Sequence, residues 1–150
     1  MANLNTIIPE KIHLNKVQLI KDEIIILNKK LKSKPEYNVS VAHNTQHNLE
    51  KEIVKIRLFI NLVGDLNKKK IPQGGNYEID FYFKIEDINE QYETVGNSPI
   101  FSGVFVSILL GICYSTARGM LLEKWVDTIL DGILLPVISI PKLLNSKKEI

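Results

Sequence analysis

The sequence predicts an α+β fold: a four-stranded antiparallel sheet packed against a long C-terminal helix, followed by an extended, proline-containing strap. Three observations carry that reading. Two central runs alternate apolar and polar residues with a period of two, the pattern of strands with one face on a core. From Ser98 the period becomes helical. Beyond Gly132, Pro136 and Pro141 interrupt an apolar run and exclude regular helix there.

The sheet is assigned to residues 12–95. In the run IHLNKVQLI the apolar phase slips between Leu14 and Val17, as a bulge would cause. Tyr37, Val39 and Val41 alternate in a second strand. The intervening DEIIILNKKLKSKPE connects the two, its basic half exposed. In the third strand Val54, Ile56, Leu58, Ile60 and Leu62 share one face, opposite a mixed face containing Lys55, Arg57, Phe59 and Asn61. The fourth is cleaner: Tyr77, Ile79, Phe81, Phe83 and Ile85 alternate with Glu78, Asp80, Tyr82, Lys84 and Glu86. One-sided sheets of this kind are usually antiparallel. Between the last two strands, Pro72 and Gly74-Gly75 predict a long hairpin loop over GDLNKKKIPQGGN.

The helix is assigned to residues 98–132, with Pro99 in its first turn and Asn97 or Ser98 as cap. Phe101, Phe105, Ile108, Leu109 and Ile112 form a bulky stripe for the sheet. Gly103, Ser107, Gly111 and Ser115 recur every four residues as a ridge of small side chains. Such a ridge admits a second backbone at close range, either within the subunit or from another copy. Gly132 ends the helix. The strap occupies 133–144 and a short basic tail 145–150.

The chain has 150 residues, enough for one domain, with 45% hydrophobic and 24% charged residues. A net charge of +2 gives no reason to expect a nucleic-acid partner. The lone Cys113 suits a reducing, cytoplasmic compartment. The opening MANLNTIIPEKIHL lacks the pattern of a secretory signal. No charge occurs from Thr94 to Ala117, a run long enough to cross a bilayer. Its interruption by Asn97, Ser98, Pro99, Ser102, Ser107, Ser115 and Thr116 favours a buried core helix, and no stable membrane insertion is expected.

Catalytic and metal-binding patterns are scarce. There is no G-x-S-x-G, P-loop, G-x-G-x-x-G or C-x-x-C. His43 and His47 have a metal-compatible spacing only on a helix, and their neighbours predict solvated strand and turn. Cys113 lies among apolar residues and is expected to be an inert thiol. Asp127 and Asp131 are expected on the polar face of the helix. No enzymatic activity, metal or cofactor is predicted.

The run YSTARGMLLEKWVDTILDGILLPVISIPKLL resembles the C-terminal signature of the SecB-type protein-export chaperones. The matching positions are Tyr114, Ala117, Arg118, Gly132, Leu135, Pro136, Leu143 and Leu144. The resemblance is motif-level over Ser98–Leu144 and architectural over Ile12–Val95. It implies an ATP-independent chaperone, dimeric or tetrameric, with the long helices contributing to the interface, where the ridge of Gly103, Ser107, Gly111 and Ser115 is the expected contact. It also implies that unfolded or precursor polypeptides lie in hydrophobic grooves. The groove candidates here are Phe101, Phe105, Tyr114, Trp125, Leu134, Leu135, Val137, Ile138 and Ile140. Export members carry a tail recognised by the motor ATPase SecA and an acidic outer strand face. This chain has neither the tail pattern nor that face, because Glu78, Asp80, Lys84 and Glu86 mix signs. Shortened relatives protect an aggregation-prone antitoxin, and the resemblance fits that partner equally.

Overall fold

A computed structural model describes residues 7–27 and 29–150. Residues 1–6, part of the segment read for a signal, lie outside the described residues. Four long strands form one antiparallel sheet: β1 (Ile12–Ile25), β2 (Glu36–Asn48), β3 (Ile53–Leu66) and β4 (Lys69–Ile85). Their order is β1-β4-β3-β2, so β1 and β2 are the edges. A hairpin follows, β5 (Tyr92–Val95) with β6 (Ser98–Phe101), then α1 (Gly103–Lys124), an extended segment, and the short α2 (Ile140–Asn145). The class is the α+β arrangement expected from the alternation.

The alternating residues make the core. Val54, Ile56, Leu58, Ile60 and Leu62 of β3 pair across the ladder with Phe83, Phe81, Ile79, Tyr77 and Gly75 of β4. All of these but Gly75 are in the buried hydrophobic core. Each large side chain so buried contributes about 1.5–3 kcal/mol relative to exposure. Helix α1 covers this face with Phe105, Leu109, Leu110, Cys113, Tyr114, Ala117 and Leu121. By length and composition α1 could cross a membrane, but this buried stripe packs it into the sheet's core.

The β1 ladder slips between Leu14 and Lys16, where the apolar phase slips in the sequence, and again between Leu19 and Lys21. The expected β3–β4 loop is instead ladder with one register shift. Asn67 and Lys68, at φ 54° and 65°, make a two-residue turn, and pairing resumes at Lys69 with Leu66. Two positive φ angles are what a tight hairpin turn requires. Pro72 sits where the register jumps, between the pairs Gly64–Ile71 and Val63–Gly74, so its missing N–H interrupts no ladder bond. At Gly74 the Leu62 carbonyl oxygen lies 1.9 Å from where a Cβ would stand, so only glycine fits.

The helix is shorter at both ends than 98–132. Ser98–Phe101 is strand β6, because Pro99 and its neighbours pair with Thr94 and Glu93. The cap is therefore Ser102, whose hydroxyl accepts from the Phe105 N–H at 3.0 Å. At the other end Trp125 is buried and donates its Nε1 hydrogen to the Tyr77 hydroxyl at 2.8 Å. Asp127 adopts φ 64° and donates its N–H to the Asp131 carboxylate, while the Thr128 hydroxyl donates to the Trp125 carbonyl. Side chains that satisfy backbone groups in this way end a helix. Asp127 and Asp131 thus build a turn rather than a polar helix face. Within α1, Ile108 is exposed and the buried stripe runs through Leu109 and Leu110 instead.

Candidate functional site: the groove between the edge strand and the strap

Residues 133–139 carry no helix or ladder, as Pro136 predicts, but the strap ends there and not at 144: Ile140–Asn145 turns into α2, because Pro141 sits in its first turn, where a missing N–H costs no helical bond. Two side chains one turn apart on α1 hold the strap. The Tyr114 hydroxyl donates to the Pro136 carbonyl, and Arg118 Nε donates to the Leu135 carbonyl at 2.9 Å. Burial pushes the Tyr114 hydroxyl above the usual phenol range, against an opposing pull from Arg118, so it stays a donor. Within the strap Leu135 turns inward and is buried, while Leu134 and Val137 are 57% and 85% exposed. The backbone is therefore fixed and the outward side chains are free.

Opposite the strap stands the edge strand β2. One stretch of the groove is lined by Pro35, Tyr37 and Val39 facing Ile133, Leu134 and Pro136. It continues between Val39 and Val41 on one side and Val137, Ile138 and Leu143 on the other. Its walls are mostly apolar, and Val137, its most exposed side chain, has no cover among the described residues. Apolar side chains left open in this way make the groove the candidate site.

The structure divides the sequence-derived candidates into groups. Leu134, Val137 and Ile138 line the groove, and Ile140, half-buried, opens α2 at its margin. Phe105, Tyr114, Trp125 and Leu135 lie inside the subunit's own core. Phe101 is half-buried at the other end of β2, with its ring 5.4 Å from His47 and 5.5 Å from Tyr92. The β2 wall, Tyr37, Val39 and Val41, was not among the candidates. Its alternation is legible, but its position at the sheet edge is not.

His43 is not a solvated loop residue. It is 1% exposed on β2, because the C-terminal segment packs over it. Its Nε2 donates to the Leu144 carbonyl at 3.0 Å, which leaves Nδ1 to accept from the Thr45 hydroxyl at 3.2 Å. His47 is exposed at the strand's end. Cys113 is fully buried, and burial pushes its thiol far above the ordinary range. Among the described residues no group of three or more His, Cys, Asp or Glu could hold a metal ion.

The ridge on α1 is only partly open, and at its start a Cβ on Gly103 would lie 3.6 Å from the Leu144 side chain of α2. Gly103 and Ser115 are exposed, Ser107 and Gly111 half-exposed. A Cβ on Gly111 would meet nothing within 4 Å. Val104, Ile108, Leu122 and Val126 are exposed large apolar residues along the same helix and its end.

Compared with known proteins, the sequence matches no family model and no curated relative. Among solved structures it is similar to a SecB-like chaperone of Mycobacterium tuberculosis, solved in complex with a ChAD peptide from the HigA1 antitoxin. The two share 10% sequence identity at a TM-score of 0.63, over 87% of this chain and 93% of that one. At that identity the likeness is one of fold: the chain has a SecB-like fold.

Proposed function

We propose that this chain is an ATP-independent, SecB-like holdase of the cytoplasm that binds non-native polypeptide as extended apolar segments between β2 and the strap. The observation that carries this reading is the groove itself. It combines a rigidly held strap, outward Leu134 and Val137, and a strand edge alongside them. Apolar burial stabilises by about 25 cal/mol per Å2, so several client side chains must engage to offset the ordering of an unfolded chain. Binding of this kind is multi-site and tolerant of sequence. The partly open α1 ridge of Gly103, Ser107, Gly111 and Ser115 would join subunits into a dimer or tetramer.

The test is suppression of aggregation of a chemically unfolded client, without nucleotide, at stoichiometric ratios. The unaltered chain should delay aggregation, and the double variant Leu134→Asp/Val137→Asp should not, with its circular dichroism unchanged. Failure of the unaltered chain to protect any client overturns the reading.

A narrower reading has its own support. The similar mycobacterial chaperone was solved with an antitoxin peptide, which favours a dedicated partner over a general export role. The outer sheet face supports the same direction: Arg57, Lys55 and Lys84 offset Glu78, Asp80 and Glu86 there, so it is not the acidic surface of export members that dock SecA. Co-purification of one antitoxin-like protein, with no protection of unrelated clients, would select this reading.

A further inference from the structure

In an antiparallel pair, alternate residues turn their N–H and C=O away from the partner strand. On β2, His43 belongs to the outward set, and its groups are taken by the chain's own C-terminal segment. The His43 N–H donates to the Ser146 carbonyl at 2.9 Å, and the Lys148 N–H donates to the His43 carbonyl at 2.8 Å. The segment runs parallel to β2, with Lys147 opposite His43. Asn44 Nδ2 donates to the Lys148 carbonyl at 2.9 Å, and Lys148 Nζ lies 4.6 Å from the centre of the Phe59 ring. Tyr37, Val39 and Val41 have the same parity as His43, so their backbone groups face the same open side. Among the described residues no backbone hydrogen bond reaches them there. Ser146 lines the groove beside Val41 and Lys142, at the point where the edge becomes occupied.

Building on the groove reading above, we propose that Ser146–Lys148 is an intramolecular occupant of the client edge, displaced by any extended client long enough to pair beyond Val41. A tethered segment competes at an effective concentration in the millimolar range. Its occupancy lowers the fraction of chains open to such a client and weakens the apparent affinity by that fraction. Helix α2 has a separate anchor, since Leu143 is buried and His43 Nε2 holds the Leu144 carbonyl. The segment can therefore leave without freeing the strap.

The test compares the unaltered chain, a deletion from Ser146 onwards, and Lys148→Pro, which removes the N–H that reaches His43 together with the ammonium over Phe59. The probes are fluorescein-labelled alternating Val/Ser peptides of twelve and six residues, read by fluorescence anisotropy. Both variants should bind the twelve-residue peptide about three- to tenfold tighter than the unaltered chain. The six-residue peptide, which fits within Glu36–Val41, should bind all three equally. Added peptide Asn-Ser-Lys-Lys-Glu-Ile should weaken binding to the deletion. Unchanged affinity for the longer peptide in a folded variant overturns the proposal while leaving the groove reading intact. If the unaltered chain and both variants all fail to bind that peptide, the groove reading falls, and the proposal with it. Should the deletion fail to fold, Lys148→Pro decides alone.

Discussion

Asp80 is a carboxylate in the middle of the sheet, on the face opposite the helix, and only 1% exposed. It accepts from Arg57 Nε at 2.7 Å and Nη2 at 2.9 Å, with Lys55 Nζ 3.4 Å away. Burial is the largest influence and acts to raise its pKa, but Arg57 and Lys55 together outweigh it and hold the carboxyl below its ordinary 3.8. A depressed folded-state pKa contributes stability that is present above the ordinary value and lost as pH falls through the folded one. The urea midpoint should therefore fall as pH drops below about 4, and part of that fall should be missing in Asp80→Asn. At neutral pH that variant should cost about 2–3 kcal/mol, because Arg57 keeps its charge with its main partner gone. A difference between variant and unaltered chain that stays flat from pH 7 to 3 would show that the Asp80 carboxyl is not held below its ordinary range, and a difference of zero that the pair contributes nothing.

The strap depends on α1 through two hydrogen bonds, and it should loosen when one is removed. Arg118→Met is expected to cost about 1–2 kcal/mol and to speed amide exchange in the segment 133–139. Client affinity should fall with it, since Leu134 and Val137 lose their fixed spacing. The ladder at Gly74 is stricter. Gly74→Ala places a methyl on the Leu62 carbonyl, and overpacking of that kind costs about 1–3 kcal/mol or more, read as a lower urea midpoint with unchanged slope. These elements also mark how far the sequence is legible. Period-two alternation identifies β3 and β4 because one face is wholly buried. The Pro72–Gly75 cluster suggests a loop because prolines and glycines interrupt strands, yet here they serve a register jump and a close backbone approach. Helical periodicity continues past Lys124, but the Asp131 carboxylate accepts from the Asp127 N–H, the Thr128 hydroxyl donates to the Trp125 carbonyl, and the helix stops. Hydrophobic pattern records which residues seek a core; it does not record local side-chain competition for backbone bonds.

At the scale of the molecule, the groove arises from strand order. Val137 and Leu134 are readable as an exposed strap once the prolines are seen, but Tyr37, Val39 and Val41 become its other wall only because β2 is an edge. Trp125 and Leu135 carry the same apolar signal and fall inside, since apolarity alone does not separate a core from a docking surface. The outer face of α1 yields a test of assembly. Because nothing stands within 4 Å of a Cβ at Gly111, Gly111→Leu should leave the subunit's unfolding free energy in urea unchanged to within about 0.5 kcal/mol. In light scattering it should halve the particle mass or more. An unaltered mass would mean that subunits meet elsewhere. The contact between His43 and Leu144 spans 101 residues of sequence. At about 5–20 residues per second, synthesis leaves roughly 5–20 s between the two partners. Throughout that interval the β2 edge has no covering segment at His43, so a ribosome making this chain displays an adhesive strand border to every neighbour. Slower translation of the last forty or so codons lengthens that exposure, and crowded polysomes are where mispairing between nascent copies should first be seen.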